Sequence, residues 1–242
     1  MDIAAVGFDV GETLLYYPGV GLSWESQYRE ALDVVAVSCG RDPATGQRAL
    51  AEAVLRRYNT RLHPRVHEVR AEVIFGEVLT AWGGSTDQEA SIAAEAFFGY
   101  FHRRMRPYDD SIAVLTALRK RGFLIGILTD VPYGMASALV HRDLVEAEVA
   151  QYIDVVLTSV DVGVRKPDPR GFVELARRLG VASKAMFVVG NEPKDIDGAR
   201  AAGIGTVLID RRGTSPAWGQ DITLTDLNDL VRLLSPSRTI AE

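Results

Sequence analysis

Short apolar runs alternate with amphipathic stretches over much of the chain. Five runs rich in β-branched residues predict buried strands: Ile3 to Phe8, Phe123 to Leu128, Ile153 to Leu157, Met186 to Val189 and Gly205 to Ile209. Between the later runs, apolar residues recur three and four positions apart, as at Ile112, Leu115 and Leu118, which indicates amphipathic helices. Strands and helices in this alternation predict an α/β fold with a Rossmann-like, doubly wound parallel sheet.

The stretch from residue 18 to residue 105 has a different pattern. It shows helical periodicity without a convincing strand over four runs: 22–38, 44–62, 65–82 and 87–104. The Gly-Val-Gly sequence near residue 20 and Pro107 supply turn residues at the two ends of this stretch. We therefore predict a core domain of residues 1–17 and 106–242, an inserted helical cap domain of residues 18–105, and a frayed tail from Ser235 to Glu242.

Composition and charge narrow the class of protein. The 27 Lys and Arg residues against 32 Asp and Glu give a formal charge of -5, which lacks the basic excess of a nucleic-acid binder. The longest clean apolar run, Phe123 to Leu128, is too short to span a membrane, and no basic signal region precedes it at the N-terminus. With Cys39 as the single cysteine, an internal disulfide is excluded. We expect a cytoplasmic monomer or homodimer with no nucleic-acid or membrane partner.

Polar residues follow the first two predicted strands of the core. In open α/β sheets, ligands bind at the carboxyl ends of the strands, so these residues are candidates for chemistry. Asp9 stands at the first strand end, two residues before Gly11, and is either a nucleophile or metal ligand or the cap of an ordinary turn. The second strand ends at Thr129 and Asp130, whose hydroxyl and backbone N–H groups suit phosphate oxygens or simply cap a helix.

Two later strand ends carry charged residues. Lys166 lies just before a proline-fixed helix start, where an ammonium group can neutralise both a carboxylate and a phosphate. The last of these strands leads into Gly190, Asn191 and Asp195, an acidic loop that could hold Mg²⁺ or merely complement a helix dipole. An Asp, a hydroxyl, a Lys and an acidic loop, each at a strand end and in this order, rarely arise by accident.

These four segments resemble the motifs of the haloacid dehalogenase (HAD) superfamily. Motif I corresponds to Asp9 to Thr13, motif II to Thr129, motif III to Lys166 within an Arg-Lys-Pro-Asp-Pro run, and motif IV to Gly190 to Asp195. The helical insertion between motifs I and II resembles the family's C1 cap. The resemblance covers essentially the whole chain and implies a HAD-like hydrolase.

The resemblance also implies roles for individual residues. Asp9 would attack phosphorus to form an aspartyl-phosphate, while Thr129, Asp130 and Lys166 would bind the phosphate, with Thr129 and Lys166 acting mainly by positioning and electrostatics. Mg²⁺ would be held by four residues together with water: Asp9, Gly11 through its carbonyl, Asn191 and Asp195. The expected activity is that of a Mg²⁺-dependent phosphatase whose partner is a small phosphorylated metabolite.

The first departure from the family pattern is Gly11. Family phosphatases usually carry a second Asp there, which protonates the leaving group and then activates water. A general acid or base typically contributes about 10² to 10⁴-fold in rate, so its loss predicts slow turnover, a good leaving group or a substitute acid. Glu12 is the nearest substitute, although the side chain of the neighbouring residue normally points elsewhere.

The second departure is Asn191, where motif IV usually has its first Asp. The substitution removes one negative charge from the metal site. Because Mg²⁺ often needs only one or two carboxylates besides phosphate and water, Asp9 and Asp195 could suffice, with Glu192 in reserve.

Two alternatives to a phosphatase remain open. Gly11 and Asn191 suit a non-catalytic or weakly active HAD-fold module that binds a phosphorylated ligand. A 2-haloacid dehalogenase also lacks the second Asp, but commonly has Tyr at the Gly11 position and a different motif IV. The phosphonate-cleaving branch is excluded, because it needs a cap lysine and none precedes Lys120.

The predicted cap contains a run of basic residues: Arg56, Arg57, Arg61, His63, Arg65, His67 and Arg70. These residues either help to bind an anionic substrate or form a solvated helix face.

Overall fold

The computed structural model describes residues 3–21, 23–84, 86–214 and 216–234. The predicted tail, Ser235 to Glu242, lies outside the described residues. The strands are β1 Ala5–Phe8, β2 Leu15–Tyr16, β3 Arg106–Pro107, β4 Leu124–Thr129, β5 Val155–Thr158, β6 Met186–Gly190, β7 Gly205–Ile209 and β8 Ile222–Leu224. The α-helices are α1 Tyr28–Ser38, α2 Thr45–Tyr58, α3 Ala71–Ala81, α4 Asp87–His102, α5 Ser111–Lys120, α6 Ser137–Glu146, α7 Ser159–Val162, α8 Pro169–Leu179, α9 Pro193–Ala201 and α10 Asn228–Leu233.

The core is a six-stranded sheet with the strand order β5-β4-β1-β6-β7-β8. Every pair of neighbouring strands in it is parallel, and β1 lies between β4 and β6. The predicted parallel α/β sheet is therefore confirmed, as are its five predicted strands. The order changes direction around β1, which places the carboxyl ends of β1, β4 and β6 side by side at one edge.

Helices cover both faces of this sheet. Successive strand residues point to opposite faces, so Val6 and Phe8 pack on the side of α5, whereas Ala5 packs with α8. Gly7 and Gly126 are register partners beneath α8, and a Cβ at Gly126 would lie 2.8 Å from the Leu175 side chain. The absence of side chains at these two positions thus lets α8 approach the sheet closely.

Along the chain, the four helices α1 to α4 come between β2 and β3, two short strands that pair with each other in antiparallel fashion. The helices pack on one another through a buried aromatic cluster, in which the Trp24 ring stacks on Phe101 at 3.9 Å between centroids. Tyr133, from the loop after β4, joins the cluster by packing against Phe97 and Trp24. The helical character predicted for this stretch is present, and its division from the core as a separate domain stays a prediction.

The predicted helix over 65–82 is wrong at its beginning, because α3 starts at Ala71. The backbone of Val66 and Glu68 instead pairs with the loop before Lys166, where Arg165 donates an N–H to Val66 and Glu68 donates one to Gly163. These long-range hydrogen bonds outweigh the local helical periodicity. The helix predicted over 44–62 is also too long, because α2 ends at Tyr58. In the described part of the chain, no helix is long and apolar enough to cross a membrane.

Candidate active site

Three of the residues selected from the sequence form a buried cluster at the carboxyl edge of the sheet. The Lys166 Nζ atom lies 2.7 Å from Asp9 Oδ1 and 2.6 Å from Asp195 Oδ1. All three side chains are buried, and Asp195 is completely so. Asp9 follows β1, and Asp195 belongs to the first turn of α9, 186 positions later in the chain. The fold thus brings together residues that are far apart in the sequence.

The Lys-Pro-Asp-Pro run positions Lys166 by starting a helix immediately after it. Pro169 occupies the first position of α8, and the Asp168 side chain accepts a hydrogen bond from the Arg170 backbone at 2.9 Å. On the other side, the Lys166 backbone N–H donates to Asp130 Oδ1 at 3.1 Å. The chain on both sides of Lys166 is therefore fixed by hydrogen bonds close to the sheet edge.

Asp195 is held by the turn that joins β6 to α9. Its Oδ2 atom accepts hydrogen bonds from the backbone N–H groups of Asn191 and Glu192, at 3.1 and 3.0 Å. Gly190 makes this possible, because a Cβ there would overlap the Asp195 side chain. Both carboxylate oxygens of Asp195 thus accept hydrogen bonds from the protein, but Oδ1 accepts only the one from Lys166 among the described residues and keeps a lone pair for a cation. The role of Asp195 as a metal ligand stays a prediction.

Burial and neighbouring charges set the ionisation of the cluster. Burial, together with the charge of Asp195, raises the pKa of Asp9 to about 6 against the opposing effect of Lys166. Burial alone would lower the pKa of Lys166, but the carboxylates of Asp195, Asp9 and Asp130 hold it well above its ordinary value. Lys166 is therefore an ammonium ion, and Asp9 is mostly a carboxylate at neutral pH.

Thr129 and Asp130 follow β4 beside this cluster. Thr129 lines the same cavity as Asp9, which suits its predicted contact with phosphate oxygens. The Asp130 side chain accepts from Lys166 and, at 3.0 Å, from the Lys194 ammonium. Burial would raise the pKa of Asp130, but Lys194, Arg165 and Lys166 hold it below its usual range. As a carboxylate, this side chain can only accept, so phosphate binding by Asp130 is left to its backbone N–H.

The cavity above Asp9 has a volume of about 130 Å³. Its floor is formed by the strand ends, and its roof comes from the stretch between β2 and β3 and from the loop after β4. Sequence reasoning missed the roof residues that face it, apart from Arg61: Tyr17, Val20, Trp24, Tyr58, Asn59, Thr60, Pro132 and Tyr133. No local spacing marks those between β2 and β3, because they reach the cavity through tertiary packing, whereas Pro132 and Tyr133 lie in the loop after β4.

The basic run of the predicted cap divides between two environments. Arg56, Arg57 and Arg65 pair with acids outside the cavity, at Glu25, Glu77 and Glu68 respectively. Arg61 alone of this run lines the cavity wall among the described residues. The hypothesis that this run helps to bind an anionic substrate therefore rests on Arg61 and stays a prediction.

Gly11 leaves open space at the edge of the cavity. Gly11 is exposed, and no atom of any described residue other than its two chain neighbours lies within 4 Å of the position that a Cβ would take. The adjacent Glu12 has a positive φ of 58°, and its Oε2 accepts a hydrogen bond from the Tyr108 hydroxyl at 2.8 Å. Tyr108 is in turn covered by the Arg211 guanidinium, 3.7 Å from the ring centroid. Glu12 is thus tethered at the cavity rim.

The oxygen donors predicted to hold Mg²⁺ have the chemistry that a hard cation requires. Asp9 Oδ2 takes no hydrogen bond from any described residue, and the Asn191 Oδ1 atom accepts only a long one, 3.4 Å, from the Thr13 hydroxyl. The Gly11 carbonyl adds a neutral oxygen, and such mixed oxygen donors are those Mg²⁺ prefers. The described residues contain no group of three or more His, Cys, Asp or Glu side chains suited to a metal, in keeping with Asn191 replacing an acid.

The fold and the buried Asp-Lys-Asp cluster define a doubly wound α/β enzyme with its site at the carboxyl edge of the sheet. The model of the haloacid dehalogenase-like hydrolases matches residues 3–203. The chain belongs to this family, which confirms the resemblance inferred from its motifs, and it is a HAD-superfamily hydrolase.

Several phosphatases are similar to the chain. The phosphoserine phosphatase of Thermus thermophilus is 36% identical over 197 residues, which cover 77% of this chain and 75% of that protein. The glyceraldehyde 3-phosphate phosphatase of Methanopyrus kandleri is 33% identical over 218 residues, or 87% and 85% of the two chains. A HAD phosphatase from Thermococcus onnurineus has a similar fold, with a TM-score of 0.67 over 98% of this chain and 100% of that one at 23% identity.

Proposed function

We propose that the protein is a Mg²⁺-dependent phosphatase that hydrolyses a small phosphate monoester through an aspartyl-phosphate at Asp9. The observation that carries this proposal is the state of Asp9. Its Oδ1 atom is held by the Lys166 ammonium, while Oδ2 is left without a protein donor among the described residues at the floor of a small cavity. The phosphatases similar to the chain support the same substrate class.

In the first half-reaction, an Asp9 carboxylate oxygen attacks phosphorus, and the bond between phosphorus and the leaving-group oxygen breaks. Lys166 keeps the carboxylate in place and offsets the negative charge that Asp9 and the phosphate bring together. The Thr129 hydroxyl and the backbone N–H of Asp130 hold the non-bridging oxygens. In the second half-reaction, water attacks the same phosphorus, which releases inorganic phosphate and restores the Asp9 carboxylate.

Mg²⁺ would be held by Asp9, the Gly11 carbonyl, Asn191 and Asp195. When bound, the ion would supply positive charge that neutralises the phosphate. The leaving group lacks the proton donor that a side chain at position 11 would provide. We therefore expect esters with a stable leaving-group anion to react fastest.

The test is phosphate release from a panel of small phosphorylated metabolites and one aryl phosphate, assayed with Mg²⁺ and with a chelator. We expect release that requires both Mg²⁺ and Asp9, and therefore none from Asp9→Asn. Asp197→Asn is the matched control, because Asp197 is an exposed carboxylate on the same helix as Asp195. If no ester gives Asp9-dependent release, the protein is instead a binding module, and halide release from a 2-haloacid would identify a dehalogenase.

A further inference from the structure

Four cations surround the cavity or lie directly beneath it, and three of them are committed to partners that hold the fold. Lys166 binds Asp9 and Asp195. Arg165 is buried and donates to the Glu68 carboxylate and to the Val131 carbonyl. Lys194 lies between the carboxylates of Asp130 and Glu192. The fourth cation is Arg61, whose only side-chain partner among the described residues is Glu192, which it meets with both guanidinium nitrogens.

Arg61 is presented to the cavity by a fixed turn after α2. Its backbone N–H donates to the Asn59 side-chain oxygen at 2.9 Å. The Asn59 amide in turn donates to Ser23 and to the Tyr28 hydroxyl, each at 3.0 Å, and Asn59 is buried. The backbone at Arg61 is thereby anchored, while its long side chain, 35% exposed, keeps freedom to reorient.

Glu192 would keep a partner if Arg61 left it. The Lys194 ammonium lies 3.2 Å from Glu192 Oε2 and 3.0 Å from Asp130 Oδ2. Burial raises the pKa of Glu192, but the hydrogen bond from Arg61 and the charge of Lys194 hold it below its usual value. Because Lys194 compensates the Glu192 charge, the departure of Arg61 does not strand an unpaired buried carboxylate.

Resting on the proposed phosphatase function, we propose that Arg61 selects phosphate monoesters whose leaving group carries a carboxylate. The substrate carboxylate replaces Glu192 in the fork of the Arg61 guanidinium, a geometry that suits two parallel charge-assisted hydrogen bonds. We expect the carboxylate to lie within a few bonds of the phosphate, because Arg61 and Asp9 line the same small cavity. Glu192 acts as the internal stand-in that holds Arg61 in place before the substrate arrives.

The experiment compares two esters that differ in one group: the phosphate ester of a two- or three-carbon hydroxy acid and the corresponding amide. We expect wild type to prefer the acid over the amide in kcat/KM. In Arg61→Gln this preference falls by about tenfold to a hundredfold, the effect expected from losing a charged hydrogen-bond partner, and KM carries most of the loss. Arg61→Lys keeps the charge without the fork and gives an intermediate preference.

Two further variants separate selection from stability. Arg57→Gln removes the same charge from α2, where Arg57 pairs with Glu77 away from the cavity, and should retain the wild-type preference. Glu192→Gln weakens the competitor for Arg61 and should lower KM for the acid more than for the amide. If Arg61→Gln impairs both esters equally, Arg61 only closes the cap on the core and the proposal is overturned.

Binding measured by calorimetry gives a readout that does not need turnover. The two esters are titrated into Asp9→Asn, with and without Arg61→Gln. Tighter binding of the acid that is lost with Arg61 supports this inference even if wild type hydrolyses neither ester. The phosphatase proposal itself is decided separately, by Asp9-dependent release from the panel of esters. Equal binding of acid and amide overturns the inference, even if both esters are hydrolysed by wild type.

Discussion

Gly11 leaves the proposed reaction without a side-chain proton donor at position 11. An aryl phosphate leaves as a stable phenolate, whereas an alkyl phosphate needs a proton, so wild type should strongly prefer the aryl ester. Apart from the two chain neighbours, no atom of the described residues lies within 4 Å of the position of a Cβ at Gly11, so we expect Gly11→Asp to be accommodated. We expect this variant to narrow the difference in kcat/KM between aryl and alkyl phosphates by about tenfold or more.

Gly11→Asn is the matched control for this prediction. It adds nearly the same bulk at position 11 but no acidic proton, so the difference between the esters should remain that of wild type. If the difference in kcat/KM between aryl and alkyl phosphates narrows equally in Gly11→Asn and Gly11→Asp, then filling the space matters and proton donation does not.

Glu12 is the neighbouring acid that could replace the missing group. Its carboxylate accepts a hydrogen bond from Tyr108 at the cavity rim, which directs it toward Tyr108 and Arg211. Glu12→Gln keeps an acceptor for Tyr108, so we expect little change in kcat for either class of ester. Loss of alkyl ester turnover with aryl turnover intact would instead make Glu12 the substitute acid, and the interpretation of Gly11 as a catalytic gap would be wrong.

If Asp9 holds Mg²⁺ as proposed, we expect the affinity for Mg²⁺ to depend on pH. The pKa of Asp9 is raised to about 6, so the carboxyl is neutral below that pH and ionised above it. Because a cation binds the ionised form, Mg²⁺ affinity measured by calorimetry should fall about tenfold for each pH unit below about 6 and be level above it. Asp9→Asn should bind more weakly without this slope. Equal wild-type affinity at about pH 5 and about pH 7.5 would contradict the prediction.

At the scale of secondary structure, the sequence predicts elements that are buried and regular. The five core strands are apolar runs in which burial and local propensity agree, so the pattern identifies them. Strand β8 escapes prediction because Ile222–Leu224 is a short, partly exposed edge strand. The start of α3 is missed for another reason, since residues 66–68 form backbone hydrogen bonds to the loop at Gly163 and Arg165 that no local pattern reveals.

The residues of the candidate site also fall into two groups, those that the sequence predicts and those that it does not. Asp9, Thr129, Lys166 and Asp195 are predictable because each follows a strand, and parallel strands end at one edge of the sheet. Arg61 is visible only as one of seven basic residues in the predicted cap, and its place at the cavity depends on the Asn59 turn. Side chains that reach the site through tertiary packing leave no periodic signal in the sequence.

The turn from β6 to α9 is the element on which the buried cluster most depends. A Cβ at Gly190 would overlap Asp195, so Gly190→Ala must displace that carboxylate from Lys166. We expect a loss of about 1–3 kcal/mol in unfolding free energy, measured with urea, and reduced activity. Gly99→Ala is the control, because its Cβ has open space within α4; it should stabilise the protein by roughly 0.5–1 kcal/mol. Equal stability of the two variants would contradict the prediction.

At the scale of the whole molecule, the roof of the cavity is attached to the core through polar contacts beside the site. Arg61 meets Glu192 on one side, and the buried Arg165 meets Glu68 on another. Further away, the His102 ring lies 2.5 Å from the Asp143 carboxylate. Because Arg165 directly precedes Lys166 in the chain, we expect the shape of the cavity and the position of Lys166 to be linked.

The Glu68–Arg165 pair provides a test of this link. Both side chains are nearly inaccessible, at 2% and 4% exposure, and Glu68 also accepts from Arg65 and Ser159. Glu68→Ala leaves the buried guanidinium of Arg165 with the more distant Asp130 carboxylate, 3.7 Å away, and should cost about 3 kcal/mol in unfolding free energy.

Glu52→Ala is the comparison for that variant, because Glu52 pairs with Arg56 near the surface and should change stability by less than about 1 kcal/mol. Urea unfolding measures both variants, and phosphate release from the aryl ester shows whether the Lys166 loop is displaced as well. Glu68→Ala should lower kcat for this ester, whereas Glu52→Ala should not. If Glu68→Ala loses stability but keeps full kcat, the attachment of the roof is independent of the buried Asp9–Lys166–Asp195 cluster, and the link through Arg165 is wrong.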